Sequence, residues 1–363
     1  MRRKYILSWP LFIFSALSSN AQTVDSTAKF RISGYVDAYY GYYTDSVGTG
    51  NYQKFPSIAP RSRQFGLNTA QVSFEYNAEK VRGIVTLHFG DIAKSTWSSA
   101  YNNIMEAHAG IRLCKKLWLD AGFFRTHFGT EGLLPKENFL SSVSVNTFYE
   151  PYFEAGARLN YVPNDNWSVT LYALNGYNIF EDNNKKKSLG ILVTYNAGDK
   201  WNAGYSNYLG DDAPDTDSLR HLRLHQNLFF NAAIKKLKIQ AGIDYCLQQH
   251  ADIVYKKVGA SMQSGILGIK YQLKEKFAVA ARGEFFYDPQ GFMSTVILDN
   301  ENKYTGYKLW GLTLGAEYKP TANTYIRMEG RQLQMNKKEK IFYWNGKNTS
   351  HRMEILCNIG ISF

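Results

Sequence analysis

The chain has 363 residues, 44% of them hydrophobic and 15% aromatic, with a formal net charge of +11 and a mean hydropathy of −0.36. Past Phe14 no run approaches the roughly 20 apolar residues of a spanning helix, which excludes a helical membrane bundle. Basic residues are dispersed rather than gathered among aromatics, which argues against a nucleic-acid partner. Cys114, Cys246 and Cys357 are odd in number and far apart, so neither a disulfide framework nor a metal-ligand spacing is present; they read as small fillers.

In chain order, the first element is a leader. Arg2, Arg3 and Lys4 precede a short apolar run, Tyr5 to Leu17, broken by Ser8, Pro10 and Ser15. Ser19-Asn20-Ala21 then offers the small residues that a signal peptidase needs, so residues 1–21 read as a signal peptide cleaved before Gln22. No Cys follows the cleavage point, which disfavours a lipid-anchored protein. Its loss removes three basic residues and lowers the formal charge from +11 to +8.

Residues 22–363 read as one domain of segments that alternate with period 2, the pattern of strands with two unlike faces. Strands are expected near 30–43, 64–77, 80–90, 104–114, 116–128, 150–162, 166–176, 187–196, 199–209, 220–235, 236–249, 258–273, 276–288, 306–319, 322–333 and 351–363. Their connections alternate. Tight turns fall near 77–80, 114–116, 163–166, 196–199, 235–236, 274–276 and 320–323. The interleaved connections are longer, near 44–63, 91–103, 129–149, 177–186, 210–219, 250–257, 289–305 and 334–350. An even strand number with strict short–long alternation is what an all-β, antiparallel, up-and-down transmembrane barrel of about sixteen strands requires, with both termini and the short turns on the periplasmic side. Soluble sandwiches and propellers also carry short alternating strands, but seldom such regular connections.

The two faces differ in chemistry. In the last strand Met353, Ile355, Cys357, Ile359, Ile361 and Phe363 point one way, and Arg352, Glu354, Leu356, Asn358, Gly360 and Ser362 the other. A sheet that spans lipid must close, because hydrocarbon offers its backbone no partners. The apolar face then meets outer-membrane lipid, while the charged face is expected to line a water-filled lumen for small polar solutes. Parity places Asp37, Arg82, Glu106, Arg112, Asp120, Glu154, Arg158, Arg223, Asp244, Arg282, Glu284, Arg327, Glu329, Arg331, Arg352 and Glu354 on that lining, together with Arg31, Glu75, Lys238, Lys270 and Glu317. The signs nearly balance, so neither anions nor cations are favoured by count. Burying such groups dry costs several kcal/mol each, which a wet interior avoids, and sixteen strands enclose more space than wall side chains fill.

Tyr39, Tyr40, Tyr42 and Tyr43 cluster at the loop end of the first strand, and Trp118, Trp167 and Trp201 stand beside short turns. Some should form aromatic belts at the headgroups, though parity turns Tyr39 and Trp118 inward. The connection 129–149, with Glu131, Lys136, Glu137 and Leu133-Leu134-Pro135, would narrow the pore if it folded into the lumen; as an ordinary external loop it would not.

Several stretches carry a resemblance. They are Ile32-Ser33-Gly34-Tyr35-Val36-Asp37-Ala38-Tyr39-Tyr40, Leu117-Trp118-Leu119-Asp120-Ala121-Gly122-Phe123-Phe124, His127-Phe128-Gly129-Thr130-Glu131 and Pro151-Tyr152-Phe153-Glu154-Ala155-Gly156-Ala157-Arg158-Leu159. Asn175-Gly176-Tyr177, Arg282-Gly283-Glu284-Phe285 and Arg327-Met328-Glu329-Gly330-Arg331 fit the same pattern. Together they resemble the OmpL-like β-barrel porin family common in Bacteroidota, over almost the whole chain and with no single decisive motif. Phe128 departs from it, where a small or β-branched residue is expected. The resemblance implies an outer-membrane porin for passive diffusion of small hydrophilic solutes and ions, and transfers no catalytic residue. A strand ending on Phe363 is a mark by which barrel-assembly machinery recognises such proteins, and sixteen-stranded porins are often homo-oligomers.

No phosphate-binding loop, dinucleotide fingerprint, nucleophile elbow or zinc-protease motif is present in the sequence; no catalytic residue, cofactor or metal is expected. His221 and His225 share a strand face, but Arg223 between them disfavours a cation. Two rivals remain: a surface receptor or adhesin built on the longer loops, and a barrel enzyme assembled from His88, His108, His127 and the serines of 141–144. Conductance in a lipid bilayer separates the channel from both.

Overall fold

A computed structural model describes residues 29–45 and 50–363; the expected leader and its cleavage point lie outside the described residues. The chain forms β1 (Phe30–Tyr43), β2 (Gln64–Asn77), β3 (Val81–Phe89), α1 (Asp91–Thr96), β4 (Ile104–Cys114), β5 (Leu117–Arg125), α2 (Val145–Tyr149), β6 (Phe153–Tyr161), β7 (Trp167–Leu174) and β8 (Ser188–Asn196). There follow β9 (Trp201–Gly210), β10 (Arg223–Ile234), β11 (Leu237–Gln248), β12 (Ala260–Lys274), β13 (Phe277–Tyr287), β14 (Ile297–Leu298), β15 (Tyr304–Thr305), β16 (Lys308–Tyr318), β17 (Thr324–Met335), β18 (Phe342–Trp344), β19 (Lys347–Thr349) and β20 (His351–Ser362).

Sixteen of these strands pair in chain order into one closed antiparallel barrel, with β14–β15 and β18–β19 as separate hairpins in the two long connections near the C-terminus. Closure runs along β1 and β20, from Tyr35 opposite Ser362 to Tyr43 opposite Glu354. Gly34 and Phe363 then exchange backbone hydrogen bonds of 2.7 and 3.0 Å. A Cβ at Gly34 would lie 2.4 Å from the Phe363 ring, so a larger residue there would displace that terminal side chain.

The alternation seen in the sequence is the alternation of surroundings. Ile243, Leu267, Phe285, Trp310, Leu314, Met328 and Ile359 are exposed on the outside, while the residues between them are buried within. An apolar outer face of this extent on a closed sheet fits hydrocarbon. Trp167, Tyr195, Trp201 and Phe230 form a run of ring contacts on the outer face at the short-turn end, with centroids 4.9 to 6.0 Å apart. Tyr40 packs on Phe65 at the loop end, whereas Tyr39 and Tyr43 are buried inside. Cys246 is buried as a filler, but Cys114 is exposed, because it ends β4 beside the Lys115-Lys116 turn.

Strand limits match the periodicity to within three residues throughout, with the largest differences at β5, β6 and the start of β10. β5 stops at Arg125 and β6 begins at Phe153, where strands over 116–128 and 150–162 were expected. The chain turns inward at Gly129, whose φ of 110° suits glycine.

Candidate functional site in the barrel lumen

The segment 126–152 crosses the lumen instead of standing outside it, and wall residues fasten it on both flanks. Near its start Gln240 donates to the Thr130 carbonyl (2.8 Å). The segment approaches β11 so closely that a Cβ on Gly242 would fall 1.7 Å from the Thr130 hydroxyl. A 3₁₀ turn, Pro135–Glu137, follows. Its Glu137 accepts both Arg125 guanidinium contacts at 2.7 and 2.6 Å, and the Tyr35 hydroxyl accepts the Lys136 amide at 3.2 Å. Lys136 places its ammonium 4.4 Å from the Tyr35 ring centre, and burial lowers its pKa to about 8.

The far flank is held by charged side chains acting on backbone groups. Arg327 donates to the Pro135 and Leu140 carbonyls at 2.6 and 3.1 Å. Glu329 accepts the Ser141 and Ser142 amides at 2.7 and 2.8 Å, and Glu284 accepts the Val145 amide at 2.8 Å. Arg282 donates to the Ser142 carbonyl (2.6 Å) and to Glu131 (2.8 Å). A segment with only two short helical turns leaves most of its amides and carbonyls unpaired, and each costs several kcal/mol if buried unmet. The wall charges meet them. Asn146 closes the anchorage, donating to Asp244 (2.8 Å) and Glu150 (2.9 Å) and accepting from Ser264 (2.5 Å).

A second inward element packs against the first. Asp91 of α1 receives Arg61 in two bonds of 2.8 and 3.0 Å and the hydroxyls of Tyr39 and Tyr52 at 2.8 and 2.9 Å. Behind it Ile58, Ile92, Trp97, Leu133, Leu134, Phe153 and Phe180 form an apolar cluster inside the barrel.

The expected lining residues all turn inward, but into contacts. Asp37 accepts from Asn68, Tyr325 and Asn358, and Glu154 meets His127 at 2.7 Å. Arg223 binds Gln248 at 2.7 Å and lies 3.5 Å from Asp212. Asp120 receives Arg82 and Arg158, and Glu106 lies 3.8 Å from His108. Arg112 and Arg82 stack on Trp118 with guanidinium carbons 5.0 and 4.4 Å from its ring centre. Arg331 joins Glu284 (2.8 Å) and Glu354 (3.5 Å), and Arg352 continues the chain from Glu354 (3.0 Å) to Asp45 (2.9 Å).

Water therefore reaches this face unevenly. Arg282 is 1%, Arg352 0% and Glu329 4% exposed, where the alternation alone suggested a wet surface. The cost of drying them is offset by opposite charges and by the loop's own backbone. Sequence reasoning found the wall positions through parity but not their partners; Thr130, Ser141, Ser142, Val145 and Asn146 have no periodic signal to betray them. His88 packs edge-on against Trp97, His108 stands beside Glu106, and His127 bridges Glu154 and the Asn207 carbonyl. The three histidines thus have separate surroundings, away from the amides of Ser141 and Ser142 on Glu329.

A closed sixteen-strand wall with a loop pinned across its lumen sets the context for the family match, which covers residues 29–363 and is described as Putative beta-barrel porin-2, OmpL-like. The chain belongs to this family. Solved structures resemble this OmpL-like porin in fold. The anion-selective porin from Comamonas acidovorans aligns over 92% of this chain and 99% of its own, at 11% identity and a TM-score of 0.63. The outer membrane channel DcaP of Acinetobacter baumannii aligns over 92% and 97%, at 11% identity and a TM-score of 0.63. Salmonella typhi OmpF, in complex with daunomycin, aligns over 92% and 97%, at 12% identity and a TM-score of 0.57. No curated protein sequence matches the chain. The OmpL-like porin is an integral outer-membrane barrel.

Proposed function

We infer that this porin passes small hydrophilic solutes and ions by passive diffusion, through a lumen narrowed by segment 126–152. The observation that carries the reading is the anchorage of that segment on β11, β13 and β17 inside a closed wall. A loop fixed across the lumen narrows it and so sets a size limit on what passes. The half-exposed inward charges, Arg82, Glu106, Arg112 and Arg223, are the lining a solute meets, and the buried ones hold the constriction. On this reading the protein is a channel and not an enzyme, the outer apolar face takes membrane lipid, the last strand is what assembly machinery engages, and copies can associate side by side.

Purified protein inserted in a planar bilayer should give stepwise current in simple salt with no added substrate. A sealed barrel that folds and inserts but never conducts would favour the receptor reading instead.

A further inference from the structure

We propose that the passage is anion-selective, with small carboxylate and phosphate-type anions as its preferred solutes. This rests on the channel reading and specifies it. By count the inward charges nearly cancel, but burial sorts them. Side-chain exposure is 41% for Arg31 against 13% for its partner Glu75, 14% for Arg82 against 0% for Asp120, and 13% for Lys270 against 5% for Glu317. It is 26% for Arg125 against 8% for Glu137 and 24% for Arg61 against 5% for Asp91. The order is reversed for Arg223 with Asp212 (16% and 19%), Arg352 with Asp45 (0% and 14%) and with Glu354 (0% and 5%), and His108 with Glu106 (8% and 18%), while the deeply buried pairs of Arg282, Arg327 and Arg331 show no clear order. Short-stemmed carboxylates lie back against the wall, and long cationic stems reach past them. At the five pairs first named, a passing ion meets the nearer, positive end first, and the nearer charge dominates.

Two clusters in the short-turn half strengthen the bias. Glu317 takes both Lys270 (2.6 Å) and Arg327 (2.7 Å), and Lys270 stands directly across the ladder from Lys238. On the other side Asp120 takes both Arg82 and Arg158, with Arg112 stacked on the same Trp118 as Arg82. In each cluster one carboxylate serves two cations, and in the second Glu106 also acts on Arg158. Guanidinium forks suit carboxylate and phosphate oxygens in paired bonds.

The mouth below the clusters continues the trend. The short turns and their flanks carry Lys80, Lys115, Lys116, Lys200, Lys235, Lys236, Lys274, Lys276 and Lys319, against Glu79, Asp165, Asp199 and Glu275. All of these lysines are exposed except Lys319, which is half-buried. They form a positive collar at one end of the route that leads to the two clusters.

The test is the reversal potential of the refolded full chain in a neutral-lipid bilayer under a tenfold KCl gradient. Chloride should permeate several-fold more readily than potassium, and acetate or inorganic phosphate should carry current. Replacing the collar by Lys235→Gln, Lys236→Gln, Lys274→Gln and Lys276→Gln, all on exposed turns, should lower that ratio at 0.1 M salt and much less at 1 M, where screening shortens to about 3 Å. Arg112→Gln should lower it at both. A ratio at or below one overturns the proposal, as does a ratio that neither variant moves. Absence of any current would instead defeat the underlying channel reading, and this proposal with it.

Discussion

Glu329 and Glu150 use the same carboxylate in opposite ways. Glu329 receives two loop amides, so its charge holds the backbone of Ser141 and Ser142. Glu329→Ala would leave both amides buried and unmet, at roughly 1–3 kcal/mol each. The expected outcome is faster proteolytic nicking within 129–149, with the barrel still resisting unfolding in detergent. Glu150 has no such support. Its pKa is raised well above the ordinary range by burial, then by Asp244 and Glu131, and around it stand Asn146, His225 on Asp244, and Arg282 on Glu131. Docking of the loop therefore favours the protonated acid. Its contribution is full below the usual glutamate range and is lost as pH rises toward the raised value. Open-channel noise should grow with pH over that window, and Glu150→Gln should make it flat; unchanged pH dependence in the variant would remove Glu150 from the account.

Among elements, the strands were legible and the inserted loop was not. A strand facing oil on one side and polar groups on the other writes its facing into every second residue, as in Phe277 to Tyr287. The stretch 126–152 is fixed by backbone groups, which every sequence has, and by wall residues distant in the chain. Parity puts Arg282, Glu284, Arg327 and Glu329 inside but cannot distinguish water from a loop backbone as their partner. The β14–β15 and β18–β19 hairpins and α1 were missed for a related reason: each is shorter than the window over which periodicity shows. Replacing 131–148 by a short Gly-Ser link should leave the barrel closed and raise single-channel conductance several-fold, since sixteen strands alone leave an aqueous channel. Conductance equal to that of the parent would mean that the loop does not set the narrowest point.

For the whole molecule, orientation in the membrane can be read with the natural thiols. Cys114 is exposed at a short-turn end, and Cys246 is buried inside near Met293. A bulky maleimide unable to cross the outer membrane should leave Cys114 unmodified in intact cells and label it once the periplasm is opened. Labelling of intact cells at Cys114 would reverse the assigned sidedness.

The antiparallel seam between β1 and β20 limits how such a chain can change in length. Losing one strand would bring the last strand beside the first in the same direction, and every hydrogen bond of the join would have to be drawn anew. Loss or gain of a complete up-and-down pair preserves the join. Relatives of different girth should therefore differ by whole hairpins, with the constricting segment still tied to the strands that carry its charged anchors.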